Sequence, residues 1–180
     1  KPLSDLRYPL IIKPNYEGSS KGISQKSIVR TPQECEILVE EILREYPEGA
    51  VVEEFIQGRE FTVPLLEAYP GEVLEVVELT FDLKGSKAKY NIYDYRFKYG
   101  GGANFVTPHC PAKLGPKEPK NIIMLAKKAA RAMNYYDYAR VDVRLSDDGT
   151  PYFLEMNPLP SLEPDVSHMI AAKHLGLTFK

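Results

Sequence analysis

A run of alternating polar and apolar residues, 138–145, and a second strand-like run, 152–156, flank Asp147-Asp148-Gly149-Thr150, and together they commit this part of the chain to a β-hairpin. Successive strand side chains point to opposite faces, so Val141, Val143 and Leu145 share one face and Arg140, Asp142 and Arg144 the other. Glu155 and Asn157 are two apart and share a face as well. A four-residue loop, with Ser146 opposite Pro151, sets Asp142 against Glu155 and brings the Asn157 amide oxygen alongside. Three hard oxygen donors on neighbouring strands suit Mg²⁺, which keeps waters and takes phosphate oxygens as further ligands. Arg140, on the same face, can neutralise phosphate charge. The same pattern also reads as a solvated outer face that merely keeps the sheet soluble. The aliphatic inner faces, which make the hairpin a stable platform, favour the site.

The rest of the chain punctuates itself clearly. Residues 8–13 read as a strand closed by Pro14, running into a glycine- and serine-rich loop, Asn15-Tyr-Glu-Gly-Ser-Ser-Lys-Gly22. Thr31-Pro32-Gln33-Glu34 is a capping box with proline at the first helical position, and Cys35, Leu38, Val39, Ile42 and Tyr46 follow at helical spacing until Pro47 and Gly49. Strand-like runs at 51–56 and 60–66 are joined by Gln57-Gly58-Arg59, and Pro70-Gly71 turns into a third at 73–79. Residues 82–115 are tyrosine- and glycine-rich with little period and read as long loops. Residues 119–134 predict a second helix with Ile122, Leu125, Ala126, Ala129 and Met133 on one face. Strands outnumber helices and come in hairpins, which predicts an α+β architecture with antiparallel sheet.

Composition narrows the function classes. A net charge of −2 in 180 residues argues against nucleic acid, which asks for a basic face. No apolar run approaches the roughly 18 residues needed to cross a bilayer, and the N-terminus is not signal-like, so no membrane partner is expected. Two cysteines, Cys35 and Cys110, are too few for a disulfide framework and suit a reducing cytoplasm. Cys35 sits on the helix's apolar face and is expected in the core. His109, His168 and His174 show no metal spacing and read as surface or packing residues.

Other segments carry two readings each. The Gly18–Gly22 loop follows a strand and could wrap phosphates with its N–H groups, or be a surface turn; it is neither a P-loop nor a dinucleotide fingerprint. Lys13 is a phosphate clamp or an edge charge. Glu53-Glu54-Phe55-Ile56, with Gly58 and Glu60, places acids beside apolar surface, as a purine slot needs or as an exposed acidic edge shows. Lys98, within Asp94-Tyr95-Arg96-Phe97-Lys98-Tyr99-Gly100-Gly101-Gly102, sits on a lid that delivers a cation to a phosphoryl group or on a loop with nothing to deliver.

Taken in order, these pieces resemble the ATP-grasp fold and, within it, the D-alanine–D-alanine ligase family. The resemblance rests on Ile12-Lys13-Pro14, Glu17-Gly18-Ser19-Ser20 with Gly22, and Val52-Glu53-Glu54-Phe55-Ile56 with Gly58 and Glu60. It continues through Asp94-Tyr95 with Lys98-Tyr99, Ala139-Arg140-Val141-Asp142, and Leu154-Glu155-Met156-Asn157-Pro158. The resemblance implies two α+β lobes clasping ATP, here a smaller one at about 1–70 and a larger one at about 71–180. It implies Lys13 on the ATP phosphates, Glu53, Glu54, Phe55 and Ile56 on adenine, and Glu60 on the ribose hydroxyls. Asp142, Glu155 and Asn157 would bind two Mg²⁺, for which Mn²⁺ could substitute. Lys98 and Arg140 would act on the transferring phosphoryl group, with Ser19 and Tyr99 closing loops over it. The implied chemistry activates a carboxylate as an acyl phosphate that an amine then attacks, on small amino-acid substrates, in a cytoplasmic enzyme of peptidoglycan synthesis, as a homodimer. Phosphoryl transfer asks for charge neutralisation and positioning rather than a protein nucleophile, and no nucleophile with an attendant base is evident here.

Two departures shape these expectations. The family carries glycine after Asn-Pro-x-Pro, where this chain has Ser161 after Pro160, and the segment 162–168 does not place its serine at the family spacing. An N-terminal domain and a further phosphate-binding lysine segment, both implied by the family, would precede Lys1, so the 180 residues alone are expected to be inactive. The rivals are an ATP-grasp ligase for other amino acids and a non-catalytic nucleotide-binding module. Retention of Lys98, Arg140, Asp142, Glu155 and Asn157 together speaks against the latter.

Overall fold

The structure, a computed structural model, describes residues 3–83, 88–93 and 106–178. The chain forms two compact units, residues 1–55 with 81–106, and residues 56–80 with 107–180. The first break falls at 55/56, against about 70 in the sequence reading. The strand that begins at Gly58 pairs with residues 77–79 and 138–146 of the second unit, so it belongs there rather than to the first.

In the first unit, β1 (Leu10–Pro14) is the centre of a three-stranded antiparallel sheet, flanked by β2 (Ile28–Val29) and β3 (Ala50–Glu54). β1 starts at Leu10, two residues later than expected. Leu10 and Ile12 point inward and pack with Val29 and with Cys35 and Ile42 of α1 (Pro32–Glu45). Cys35 is buried as expected. The Thr31 hydroxyl accepts from the Glu34 N–H at 3.2 Å, while the Glu34 carboxylate accepts from Arg30 N–H at 2.6 Å, one residue earlier than a reciprocal capping box would have it.

The second unit is a five-stranded antiparallel sheet in the order β6-β5-β4-β7-β8. Its strands are β4 (Gly58–Leu66), β5 (Val77–Phe81), β6 (Val106–His109), β7 (Tyr138–Ser146) and β8 (Pro151–Asn157). α2 (Glu118–Ala132) covers one face, where Ile122, Ala126 and Ala130 sit on Phe61, Val63, Val141 and Val143, all essentially inaccessible. Two alanines in that seam let helix and sheet approach closely. Met133, expected on this face, is 53% exposed; Ala130 takes the inward position one turn after Ala126. The third strand begins at Val77 rather than 73; Val73 makes only an isolated bridge to Leu65. β6 and α3 (Ser167–His174) lie where no strand or helix was expected. The α+β class with antiparallel sheet is the one found. No helix among the described residues is long and apolar enough to cross a membrane.

Candidate active site

Alternation along β4 and β7 divides the second sheet into an apolar and a charged face. Phe61, Val63 and Leu65 go inward with Val141, Val143 and Leu145; Glu60 and Thr62 stand opposite Arg144 and Asp142 on the other face. β8 extends that face: Glu155 pairs with Asp142, and Asn157 with Arg140. The expected Asp142–Glu155 pairing therefore holds, although its expected loop does not. Ser146 N–H donates to Thr150 O at 3.0 Å, leaving a three-residue loop closed by Gly149 at φ +82°. Leu145, not Ser146, then faces Pro151, one residue out of the expected register. A bulge on β8 between its pairings with Val143 and Asp142 absorbs the shift, with Leu154 as the extra residue.

The charges on this face are already engaged with one another. Arg140 Nε and Nη2 donate to Asp142 Oδ1 and Oδ2, both at 2.7 Å, a bidentate pair that fixes the carboxylate plane. Arg144 Nη1 donates to Glu60 Oε2 at 3.0 Å, with both side chains nearly inaccessible. Burial raises the Glu60 carboxyl to about 7, helped by the nearby Asp142 and Glu155 charges and opposed by Arg144 and Arg140. Asn157 Oδ1 accepts from Leu159 N–H at 3.0 Å, which uses one of its two lone pairs and pins the start of the Pro158–Ser161 segment. Asp142, Glu155 and the Glu60 carboxyl thus share this face with two guanidiniums. No group of three or more His, Cys, Asp or Glu close enough to hold a metal occurs among the described residues. A metal here would have two acids and an amide oxygen, a donor set of the hard oxygen type that fits Mg²⁺.

In the first unit the Lys13 ammonium lies 2.7 Å from the Glu53 carboxylate, diagonally across β1 and β3. Two residues expected on opposite ends of a nucleotide are here each other's partner. Glu54 pairs instead with Arg7 at 3.1 Å. Phe55 is buried with Ile28 and Ile92, edge-to-face with Tyr90 at 5.4 Å, so its ring is part of a core rather than a wall. Ile56, half-buried, begins the second unit. Ser19 is exposed at φ +57°. Its neighbour Ser20 donates to Tyr93 O at 2.8 Å, and Gln25 Oε1 accepts from Lys89 and Tyr90 N–H at 2.9 Å each, which ties residues 89–93 to the glycine-serine loop. Gly22 is required in that loop, since a Cβ would lie 2.5 Å from Pro14 Cγ at a φ of +71°. Lys98 and Tyr99, with Asp94 and Tyr95, lie outside the described residues.

Sequence reasoning passed over three residues. Arg144 was placed on the charged face without a role; its partner lies 84 residues away, beyond any local pattern. His168 is 5% exposed, edge-to-face with Tyr138 at 5.7 Å, and lowered to about 4 by burial and by Arg140, with a small opposing effect of the Leu65 backbone. Neither of its ring nitrogens has a well-formed hydrogen bond among the described residues. Thr62, 4% exposed, has its hydroxyl in the same condition.

Comparison with known proteins gives this arrangement a family. A family model described as "D-ala D-ala ligase C-terminus" matches residues 1–180. A D-alanine–D-alanine ligase from Hydrogenovibrio crunogenus is 31% identical over 175 residues, 97% of this chain and 51% of that protein. Among solved structures, the VanG D-Ala:D-Ser ligase from Enterococcus faecalis has a TM-score of 0.75 at 27% identity, over 98% of this chain and 48% of that one. A D-alanine–D-alanine ligase from Bacillus anthracis complexed with ATP has a TM-score of 0.69 at 21% identity, over 94% and 47%. The chain spans about half the length of the curated relatives it matches. Its fold is that of these ligases, the ATP-grasp fold, and by sequence the chain belongs to the D-alanine–D-alanine ligase C-terminus family.

Proposed function

We propose that this chain is the nucleotide- and metal-binding part of an ATP-dependent carboxylate–amine ligase of the D-alanine–D-alanine type. The observation that carries the reading is Asp142 set opposite Glu155, with Asn157 next along the strand and Arg140 gripping Asp142. Asp142, Glu155 and Asn157 would hold Mg²⁺, two ions in the family pattern, with Mn²⁺ as a workable substitute. When bound, the metal neutralises phosphate charge. Arg140 would meet the transferred phosphoryl group, Lys13 the other phosphates, and Glu53, Glu54, Phe55 and Ile56 the base, Phe55 through its backbone. Glu60, titrating near neutrality, can both accept from and donate to ribose hydroxyls. Ser19, Lys98 and Tyr99 complete the roles that the family assigns to loops. In the reaction a substrate carboxylate takes the γ-phosphoryl group, releasing ADP; an amine then attacks the acyl carbon, expelling phosphate and losing a proton to leave the amide. The substrates would be small amino acids, and the reading extends to a cytoplasmic homodimer.

Ser161 favours a second reading, a ligase for amino acids other than D-alanine. Its φ is not left-handed, and its hydroxyl accepts from Glu163 N–H at 3.2 Å, so a side chain occupies the position where the family has bare backbone. ATP turnover and product analysis of the intact protein, with a panel of D- and L-amino acids, separates the two readings. Glu155→Gln is expected to lower turnover by about 10²-fold or more; turnover at the wild-type rate would remove Glu155 from the metal site.

A further inference from the structure

From the charged face of the second sheet we infer that Thr62 is a positioning residue for Asp142, an assignment that rests on the ligase reading of that face. Thr62 lies directly opposite Asp142 in the β4–β7 ladder and shares its face. Residues opposite one another in such a ladder have Cβ atoms about 5 Å apart, within reach of one side-chain hydrogen bond after a rotamer change. Its hydroxyl is buried and has no hydrogen-bond partner among the described residues, a costly arrangement that a state giving the hydroxyl a partner would relieve. Neighbours on its face narrow that use. Glu60, two residues back, is held by Arg144, Val77 stands opposite on β5, and Pro64 lies two residues on. Asp142 is the acceptor that stands directly opposite it.

The state that would use it is the one with a cation bound. Both Asp142 oxygens now accept from Arg140. A carboxylate oxygen that turns to a metal gives up one of those guanidinium donors, and the ligand then needs another donor to keep its orientation. Thr62 supplies it from the neighbouring strand, while Arg140 becomes available to an anionic substrate. Hydrogen-bonded supports of metal ligands are worth 10–100-fold in metal affinity.

The test is Mn²⁺ binding to the intact protein without nucleotide, read by calorimetry and by the electron paramagnetic resonance of free Mn²⁺. Thr62→Val, close in shape, is expected to weaken Mn²⁺ about tenfold without lowering the metal-free melting temperature; Thr62→Ser is expected to restore most of the affinity. Equal affinity in wild type and Thr62→Val overturns the assignment. Asp142→Asn distinguishes the two levels of failure: Mn²⁺ binding that survives it, or no binding by the wild type, overturns the metal reading and this inference with it.

Discussion

At the scale of single residues, His168 and Glu60 titrate in opposed directions. In the unfolded chain His168 takes its proton near 6.5, and in the folded chain near 4, because the buried imidazolium also faces Arg140. Between those values the unfolded chain binds more protons, so this contribution to stability is complete above pH 6.5 and is lost as pH falls towards 4, on the order of 2–3 kcal/mol. Glu60 does the reverse: the folded carboxyl keeps its proton up to about 7, against 4.5 unfolded, so its contribution is complete below pH 4.5 and is lost as pH rises towards 7. From pH 4.5 to 6.5 the two slopes oppose each other. Urea midpoints of the metal-free protein are therefore expected to change little across that window, whereas those of His168→Phe should fall as pH rises. A His168→Phe profile that rises with pH would mean that Glu60 is not held protonated. None of this was legible beforehand. The sequence shows His168 in a segment without period, and its burial depends on β4 and β7, which are close only in the folded chain.

At the scale of elements, the strands that bear the charged face depend on Gly58. A Cβ there would lie 2.0 Å from the Leu145 carbonyl oxygen, at a φ of +140° that side chains rarely adopt. Gly58→Ala is expected to destabilise the second unit by about 3 kcal/mol or more, measured by chemical denaturation. A loss below 1 kcal/mol would show that the β4–β7 ladder opens there at little cost. The strands themselves were readable because alternation is a local signal, and it correctly divided β7 into its apolar and charged faces. What it cannot register is a bulge. Asp142 met Glu155 because the loop is one residue shorter than expected and Leu154 adds one back. The stripe on α2 was off by one at its end for a similar reason. A 3.6-residue period drifts, and the small Ala130, not the bulky Met133, fits against the sheet.

At the scale of the whole molecule, each unit has its own apolar cluster, one around Leu10, Ile12 and Ile42 and another around Phe61, Val63 and Val143. Hydrogen exchange should accordingly resolve two classes of protected amides. Ile12→Ala is expected to speed exchange in β1, β3 and α1 while leaving β4 and β7 protected; uniform acceleration across both units would show a single cooperative unit instead. The division at 55/56 was hard to read because the strand patterns at 51–56 and 60–66 are alike and only three residues apart. Which sheet a strand joins is settled by partners distant in sequence, Ile11 to Lys13 for one and residues 138–146 for the other.

The kink in β8 also bears on solubility. Among the described residues β8 is the rim of its sheet, with exposed Tyr152 and Phe153 near its start. An open rim of that kind invites a second chain to add a strand. Pro151 at its first position and Pro158 just beyond its last withhold N–H donors at both ends, and the extra Leu154 breaks the straight run between them. Deleting Leu154 would leave Asp142 facing Glu155 but would make the rim flat and continuous. Light scattering should then show a variant that forms aggregates at concentrations where the parent stays dispersed.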